Sequence, residues 1–259
     1  MNHKTLLIDY SNKVLTITLN RPELRNAFND ELIAELTLVF KKEIKQINPR
    51  VILIKGNGKA FSAGGDLNWM QKCSGYSKKQ NASDAKKLSQ LLEAMNTCPY
   101  PLVGQVHGAC LGGGMGLASV CDYVVATKET LFGFTEARLG LIPATIGPFC
   151  IAKIGESYAR AYFLSAERFN AERAYQMGLV HQVVENEEIL SASVQTLLAD
   201  ILELSPQALK TAKNFIRDIQ NKKGIAKHNY AAQTLANLRA SPEGQEGIKA
   251  FLEKRKANW

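Results

Sequence analysis

The first half of the chain repeats one unit, in which an apolar stretch of strand length leads into a glycine-rich loop and then into a helical pattern. Residues 51–54 (Val-Ile-Leu-Ile) lead into the first glycine loop, and residues 102–106 lead into the second. A wholly apolar strand is buried on both of its faces. Strands that alternate with helices pair in a mainly parallel sheet with the helices outside it. The repeat therefore predicts an α/β fold.

The last third of the chain has a different pattern, because strand signals stop at about residue 189. Ser-Pro at 205–206 reads as a helix cap followed by a proline in the first turn. The predicted helices cover residues 189–204, 205–220, 224–238 and 244–256. We therefore expect an α/β core over residues 1–188 and a helical region over residues 189–259.

Residues 71–84 follow the first glycine loop and are polar, with Ser-Gly-Tyr-Ser-Lys-Lys at their centre. Polar connecting segments run over protein surfaces and move more than the elements they join. We expect a mobile surface segment here, before a helix around residues 88–95. Such a segment would suit a lid.

The composition is that of an ordinary globular protein, with 46% hydrophobic and 22% charged residues in 259. No run of 18 apolar residues is present, and the first residues lack the pattern of a secretory signal. The five cysteines include no C-x-x-C pair, which argues against a disulfide framework or a zinc site. We expect a soluble cytoplasmic protein with reduced thiols and without a metal.

The net charge of +8 has two interpretations. Basic residues cluster at 41–42, 78–79, 86–87, 222–223 and 254–256, on stretches predicted to be exposed helix faces. Such faces commonly serve solubility. They could also attract a phosphorylated small molecule or a nucleic acid. No aromatic residues interleave with the basic ones, so an RNA-binding pattern is not favoured.

Two glycine-rich loops and one acid form the candidate site. The first loop is residues 61–66 (Phe-Ser-Ala-Gly-Gly-Asp), the second is residues 112–116 (Gly-Gly-Gly-Met-Gly), and Glu136 follows. Each loop stands between a predicted strand and a predicted helix, where free backbone N–H groups can face a negative charge. Either loop alone would be read as a tight turn. Together with a carboxylate, two such donors suggest enolate chemistry.

Ordered motifs along nearly the whole chain resemble those of the crotonase, or enoyl-CoA hydratase/isomerase, superfamily. They lie at residues 20–22 with 26–27, 60–67, 108–109 with 111–114, 121–122, 132–133, 139–143, 171–174 with 178–180, and 246–251. The resemblance implies a crotonase-like spiral of ββα units with a C-terminal helical trimerisation region. It also implies a homotrimer or a hexamer built as a dimer of trimers.

The resemblance assigns roles to residues of both loops. The thioester oxygen of an acyl-CoA would sit between the backbone N–H groups of Gly65 and Gly113. Lys254 would reach the CoA phosphates from a neighbouring subunit, which gives part of the positive charge a small-molecule explanation. The implied substrate-binding and CoA-binding residues are Leu24, Arg25, Ala63, Gly65, Asp66, Leu67, Asn68, Gly113 and Lys254. No cofactor is implied, because CoA is part of the substrate.

Glu136 matches one of the two catalytic glutamates of the typical hydratase, and we expect its apolar neighbours to raise its pKa. The other glutamate would fall at Gly116 and is missing. A lone glutamate is what Δ3,Δ2-enoyl-CoA isomerases use, yet one carboxylate could also hydrate by passing a single proton. Residues 66–70, 114–117 and 139–148 look more like the bacterial 3-methylglutaconyl-CoA and γ-carboxygeranoyl-CoA hydratases.

The leading interpretation is a hydro-lyase for a branched or carboxylated enoyl-CoA, such as 3-methylglutaconyl-CoA, in fatty acid or leucine degradation. An isomerase with the same pocket is the alternative, and an RNA-binding protein of this fold ranks below both. A substrate carboxylate would need a partner. Arg138 lies two residues from Glu136 and is expected rather to be a structural ion-pair partner, and Asn68, Gln71 and Lys72 are the alternatives.

Other conspicuous residues have simpler interpretations. His107, Cys110 and Cys121 are expected to be buried structural residues without a chemical role. Trp69 and Met70 could form either an acyl-pocket wall or part of the core.

Overall fold

The computed structural model describes residues 3–259. Within that range, nine strands form a six-stranded sheet and a three-stranded sheet. The strands are β1 (Leu6–Ser11), β2 (Val14–Leu19), β3 (Val51–Gly56), β4 (Leu102–Val106), β5 (Ala109–Leu111), β6 (Tyr123–Thr127), β7 (Leu131–Gly133), β8 (Arg168–Phe169) and β9 (Gln182–Val184). The α/β class predicted from the sequence is confirmed.

Helices connect the strands and make up the end of the chain. They are α1 (Asp30–Leu38), α2 (Ile44–Ile47), α3 (Leu67–Ser74), α4 (Lys78–Asn96), α5 (Gly113–Val120), α6 (Gly147–Ser165), α7 (Ala171–Gln176), α8 (Glu187–Leu202), α9 (Pro206–Ile219), α10 (Gly224–Ala240) and α11 (Pro242–Leu252). A π-helical segment, Val39–Glu43, joins α1 to α2. No helix within residues 3–259 is long and apolar enough to cross a membrane.

The larger sheet has the order β1-β2-β3-β4-β6-β9. Strands β1 and β2 form an antiparallel hairpin, and the remaining neighbours are parallel. The first four residues of β3 are buried, as expected for a strand covered on both faces. In a parallel sheet the carboxyl ends of the strands lie at one edge. The chain leaves β3 at that edge and forms the first glycine loop.

The smaller sheet determines where the second loop and the acid lie. Strand β5 runs directly into the second glycine loop, and β7 runs towards Glu136. Because β5 and β7 are parallel neighbours, the residues that follow them emerge side by side. These strands are only three residues long, which is too short for an alternating pattern to show in the sequence.

Helix α8 belongs by packing to the larger sheet. A second hydrophobic cluster joins the strand residues Val51, Leu53, Val103 and Val125 to Leu190, Val194 and Leu198 of this helix. The division at residue 188/189 stays a prediction, although α8 is one of the layers that cover the sheet.

Residues 71–84 are mostly exposed, as expected for a surface segment, but the expectation that they precede the helix is corrected, because most of them are helical. Their mobility stays a prediction. Helix α3 ends at Ser74, and Ser77 caps α4 in a capping box with Gln80. The polar side chains form the exposed part of α4, while Leu88, Leu91 and Leu92 form its buried face.

Candidate active site

The first glycine loop is held like a strand by its neighbours on both sides. Ser62 N–H donates to the carbonyl of Ala109, and Ser62 O accepts from Leu111 N–H, each at 2.9 Å. Ala63 N–H donates to the carbonyl of Arg25 at 3.0 Å. Gly64 then adopts φ +101°, which is accessible to glycine, and the chain turns towards α3.

Gly65 is left with a free donor by this pairing. Phe28 N–H donates to Gly64 O, and Asp66 N–H donates to Phe28 O, so one edge of the loop is bonded to Phe28. In this parallel bridge the N–H of Gly65 faces the other side. It has no hydrogen-bond acceptor among residues 3–259.

Gly113 supplies the second donor, because it is the first residue of α5. Its N–H has no acceptor within the described chain, as expected at a helix start. The helix dipole places partial positive charge at the same point. Gly112 precedes it with φ +48° and donates its own N–H to Gly133 of β7 at 3.0 Å.

The two loops and Glu136 meet at Gly112. A Cβ atom added to Gly112 would lie 3.5 Å from the Cα of Gly64 and 3.5 Å from Oε1 of Glu136. The ring of Phe28 packs beneath Gly113, where an added Cβ would lie 2.9 Å from its Cδ2 atom. Phe28 therefore supports both donors, although the sequence interpretation did not include it. Its place directly after the 26–27 motif was the available signal.

Glu136 begins a short 3-10 turn, Glu136–Leu139, after strand β7. Its Oε2 atom is buried and has no hydrogen-bond partner among the described residues. Burial raises the pKa of its carboxyl, and hydrogen bonds from nearby backbone N–H groups oppose this effect only in part. The raised pKa predicted from the apolar neighbourhood is thus found in the structure.

A cavity of about 370 Å³ is lined by Gly65, Gly113 and Glu136 together. Most of its wall is apolar. Its apolar lining residues include Phe28, Met70, Leu88, Leu141, Ile142 and Ile146. Trp69 also lines the cavity, whereas lysine, arginine and histidine are absent from the described lining residues. The arrangement is suited to an apolar acyl group whose carbonyl oxygen reaches the two donors.

The missing second glutamate has a structural counterpart at Gly116. A Cβ added there would lie 2.6 Å from Cγ2 of Ile146 and 3.1 Å from Cδ1 of Leu92. Real Cβ contacts of 2.6 Å do not occur, so these two side chains occupy the space that a longer residue would need. A longer side chain at residue 116 would therefore have to displace Ile146 and Leu92.

The substrate-binding residues expected around the first loop are grouped near the cavity. Ala63 and Leu67 line it, and Leu67 is 80% exposed. Leu24 and Arg25 lie next to Ala63 through the Arg25 carbonyl, while Asn68 is exposed in the first turn of α3. Their CoA-binding roles stay predictions.

Asp66 uses its side chain within the protein. The carboxylate pairs with Arg21 at 2.6 Å and caps α3 by accepting from the N–H groups of Asn68 and Trp69. Burial alone would raise the pKa of Asp66, but these hydrogen bonds outweigh it, and the pKa lies below its ordinary value. The side chain is thereby fixed as a support for α3.

The remaining candidates do not line the cavity of one chain. Lys254 is exposed beyond α11, and its predicted role depends on a neighbouring subunit. Arg138 donates twice to the carbonyl of Ala166, and Lys72 pairs with Asp30 at 3.2 Å. Gln71, like these two, is absent from the cavity lining.

The residues expected to be structural are buried. The ring of His107 lies 2.7 Å from the carbonyl oxygen of Gly58. Burial raises the pKa of the Cys121 thiol to about 12 and raises that of Cys110 as well. No group of three or more metal-ligating side chains occurs in residues 3–259.

Known proteins match this chain over almost its whole length. The sequence model of the enoyl-CoA hydratase/isomerase family matches residues 9–259. The 2,3-dehydroadipyl-CoA hydratase of Escherichia coli (strain K12) is 35% identical over 96% of each chain. The crotonyl-CoA hydratase of Syntrophomonas wolfei is 29% identical over 100% of this chain and 99% of its own.

A solved structure has the same fold. The enoyl-CoA hydratase from Shewanella pealeana superposes with a TM-score of 0.94 at 34% sequence identity, covering 99% of this chain and 96% of its own. The crotonase-like architecture expected from the motifs is confirmed. This chain belongs to the enoyl-CoA hydratase/isomerase family of the crotonase superfamily.

Proposed function

We propose that this protein is a hydro-lyase that adds water to the α,β double bond of an enoyl-CoA thioester, with Glu136 as its acid and base. One observation carries the proposal. Gly65, Gly113 and Glu136 line the same cavity, the backbone N–H groups of the two glycines are free, and Oε2 of Glu136 is buried without a partner among the described residues. Two donors and one carboxylate with a raised pKa are what an enolate intermediate requires.

The two donors stabilise the thioester oxygen. As water adds, negative charge grows on this oxygen, and both N–H groups donate to it. Removing one donor from a comparable oxyanion site in acyl transfer costs about 3 kcal/mol. Because both donors belong to the backbone and are held by Phe28, they need little reorganisation during the reaction.

Glu136 transfers one proton from the attacking water to the α carbon of the substrate. Its carboxylate takes a proton from water while the water oxygen forms a bond to the β carbon and the π electrons move into the enolate. The protonated Glu136 then gives that proton to the α carbon, and the carbonyl re-forms. All atoms of one water are added, and the carboxylate is restored. A pKa raised by burial suits a group that must be a base first and an acid afterwards.

The acyl group of the proposed substrate is branched or carboxylated, such as that of 3-methylglutaconyl-CoA. The matching motifs at residues 66–70, 114–117 and 139–148 support this choice. The names of the relatives differ in the acyl group, so the family leaves it open. The apolar wall supports the branched form. A second carboxylate would have to stay at the solvent-facing mouth or meet a residue of another copy, because the described lining residues include no cation.

A panel of four thioesters tests the activity. Crotonyl-CoA is unbranched, 3-methylcrotonyl-CoA is branched, and 3-methylglutaconyl-CoA differs from it by one carboxylate. A 3-enoyl-CoA reports isomerisation. Hydration lowers the absorbance of the conjugated thioester, and isomerisation raises it. We expect the largest decrease with a branched substrate. An increase with the 3-enoyl-CoA and no decrease with the other three would contradict the proposal and favour an isomerase.

The proposed assembly is a homotrimer or a dimer of trimers in the cytoplasm. Large apolar side chains are exposed on the C-terminal helices of a single chain, including Ile225, Phe251 and Leu252, of which Phe251 is 82% exposed. Exposed clusters of this kind mark interaction surfaces. The five cysteines are free thiols, which fits a reducing compartment.

A further inference from the structure

Two buried polar atoms without a partner belong to residues that line the catalytic cavity. They are Oε2 of Glu136 and Nε1 of Trp69. The third such atom among the described residues, Nε of Arg50, belongs to a residue outside the cavity. A buried polar atom that lacks a partner costs free energy. Because both residues line one cavity, a small ligand bound between them would give the acceptor and the donor a partner.

The indole of Trp69 is held in place by the protein. It lies in the first turn of α3, where the Asp66 carboxylate accepts from the Trp69 backbone N–H at 3.2 Å. Arg21 fixes Asp66 from the other side at 2.6 Å. The ring itself packs against the main hydrophobic core. Its N–H is therefore a preorganised donor.

The cavity wall offers few polar groups that could bind a water molecule. Bound water in an apolar surrounding needs two or more polar partners. A bound water would donate one hydrogen bond to Glu136. Besides Glu136 and Trp69, the only side-chain polar groups among the described lining residues are the hydroxyls of Thr135 and Thr145. An acidic side chain from α5 has no room, because Ile146 and Leu92 crowd Gly116.

We propose that Nε1 of Trp69 donates a hydrogen bond to the oxygen of the attacking water and so positions this water for Glu136. The inference rests on the proposed hydratase function. The water oxygen accepts from the indole with one lone pair, releases a proton to Glu136 and attacks the β carbon with its other lone pair. Trp69 exchanges no proton. A neutral indole cannot compensate a charged acyl group, so this donor fits water better than a substrate carboxylate.

Trp69→Phe tests the role, since it removes the N–H and keeps an aromatic ring. Trp259→Phe is the matched control, because its Nε1 donates to the carbonyl of Glu203 at 3.2 Å and it does not line the cavity. Two reactions are measured with each protein. One is hydration of the best enoyl-CoA. The other is exchange of the α proton of butyryl-CoA with D₂O, which uses Glu136 and both backbone donors but no attacking water.

In Trp69→Phe we expect kcat of hydration to fall about 10- to 100-fold, the range for losing one buried hydrogen bond. KM and the exchange rate should stay near the wild-type values, and Trp259→Phe should match wild type in both reactions. An equal loss of hydration and exchange would assign Trp69 a structural role only. A change confined to KM for the carboxylated substrate would place its N–H on the acyl group. Unchanged hydration would also overturn the proposal.

A second variant covers the case in which Trp69→Phe does not fold. Incorporating benzothienylalanine in the Trp259→Phe background replaces the indole nitrogen with sulfur and preserves the ring shape. The same selective loss of hydration is expected, and full hydration activity would refute the role. If wild type hydrates none of the thioesters, the proposed function itself fails, and this inference fails with it.

Discussion

Glu136 is the residue on which the proposed chemistry depends, and its surroundings suit a group that acts without a second carboxylate. Its Oε2 atom is buried without a partner, and burial raises its pKa. In the proposed reaction, a raised pKa keeps the proton that Glu136 takes from water available for the α carbon. A second carboxylate nearby would share the water but would also add a like charge to an apolar cavity.

The raised pKa predicts the pH dependence of hydration. The ionised form of Glu136 is the base, so activity is full above its pKa and is lost as the pH falls through it. We expect the acid limb of kcat/KM for hydration to lie above the ordinary glutamate value of about 4.3. A pH–rate profile of the wild type measures this limb. A limb at or below that value would contradict a buried Glu136 as the base.

At this scale the sequence predicts Gly65, Gly113 and Glu136 as site residues, because glycine loops and a lone acid are visible in the chain itself, and the three residues line one cavity. Phe28 was not predicted from the sequence, because its support of both loops depends on contacts with residues far away in sequence. The pairing of Asp66 with Arg21 was missed for the same reason. Side chains that act through tertiary contacts leave little local pattern.

At the scale of elements, the packing of α5 against the start of α6 and against α4 disfavours a longer side chain at residue 116. Ile146 precedes α6 and packs on Gly116 of α5, together with Leu92 of α4. The departure from the two-glutamate pattern thus involves three elements and is more than a single substitution. Restoring one residue alone should not restore a two-carboxylate site.

Gly116→Glu tests this packing. The new side chain would displace Ile146 and Leu92, and overpacking of this kind typically costs about 1–3 kcal/mol of the free energy of unfolding. We expect lower stability and no gain in the rate of hydration. Gly147→Ala is the matched control, because an added Cβ there meets nothing closer than 3.7 Å. Urea unfolding and the hydration assay give the answer, and a stable, faster Gly116→Glu would refute this interpretation.

The predicted elements agree with the structure where patterns are long. The strand expected at residues 102–106 is β4, and the helices expected at 189–204 and 224–238 are α8 and α10 with ends shifted by about two residues. Strands β5, β7 and β8 were not predicted as a sheet, since strands of two or three residues carry no periodicity. Residues 71–84 were misread because the polar face of an amphipathic helix resembles a loop in composition.

At the scale of the whole molecule, the C-terminal helices expose apolar surface that a single chain leaves uncovered. Phe251 and Leu252 of α11 are 82% and 73% exposed. Lys254, the expected contact to CoA phosphates from a neighbouring subunit, lies two residues after Leu252. The proposed trimer would bury these side chains and bring such a lysine to another copy's site.

Light scattering on the purified protein tests the assembly. We expect a mass of three or six times 28.5 kDa. Phe251→Glu places a charge in the proposed interface and should lower that mass, whereas Tyr175→Glu changes an exposed aromatic residue of α7 and serves as the control. A monomeric wild type with full activity would contradict both the trimer and the role expected for Lys254.

The proposed function depends on hydration by one carboxylate and two backbone donors. Its most direct test compares wild type with Glu136→Gln, in binding of CoA thioester and in turnover of the preferred enoyl-CoA. We expect binding within about threefold of wild type and turnover reduced by at least about 100-fold, the usual minimum for losing a general acid or base. A Glu136→Gln variant that still hydrates at a rate near that of wild type would contradict the central claim.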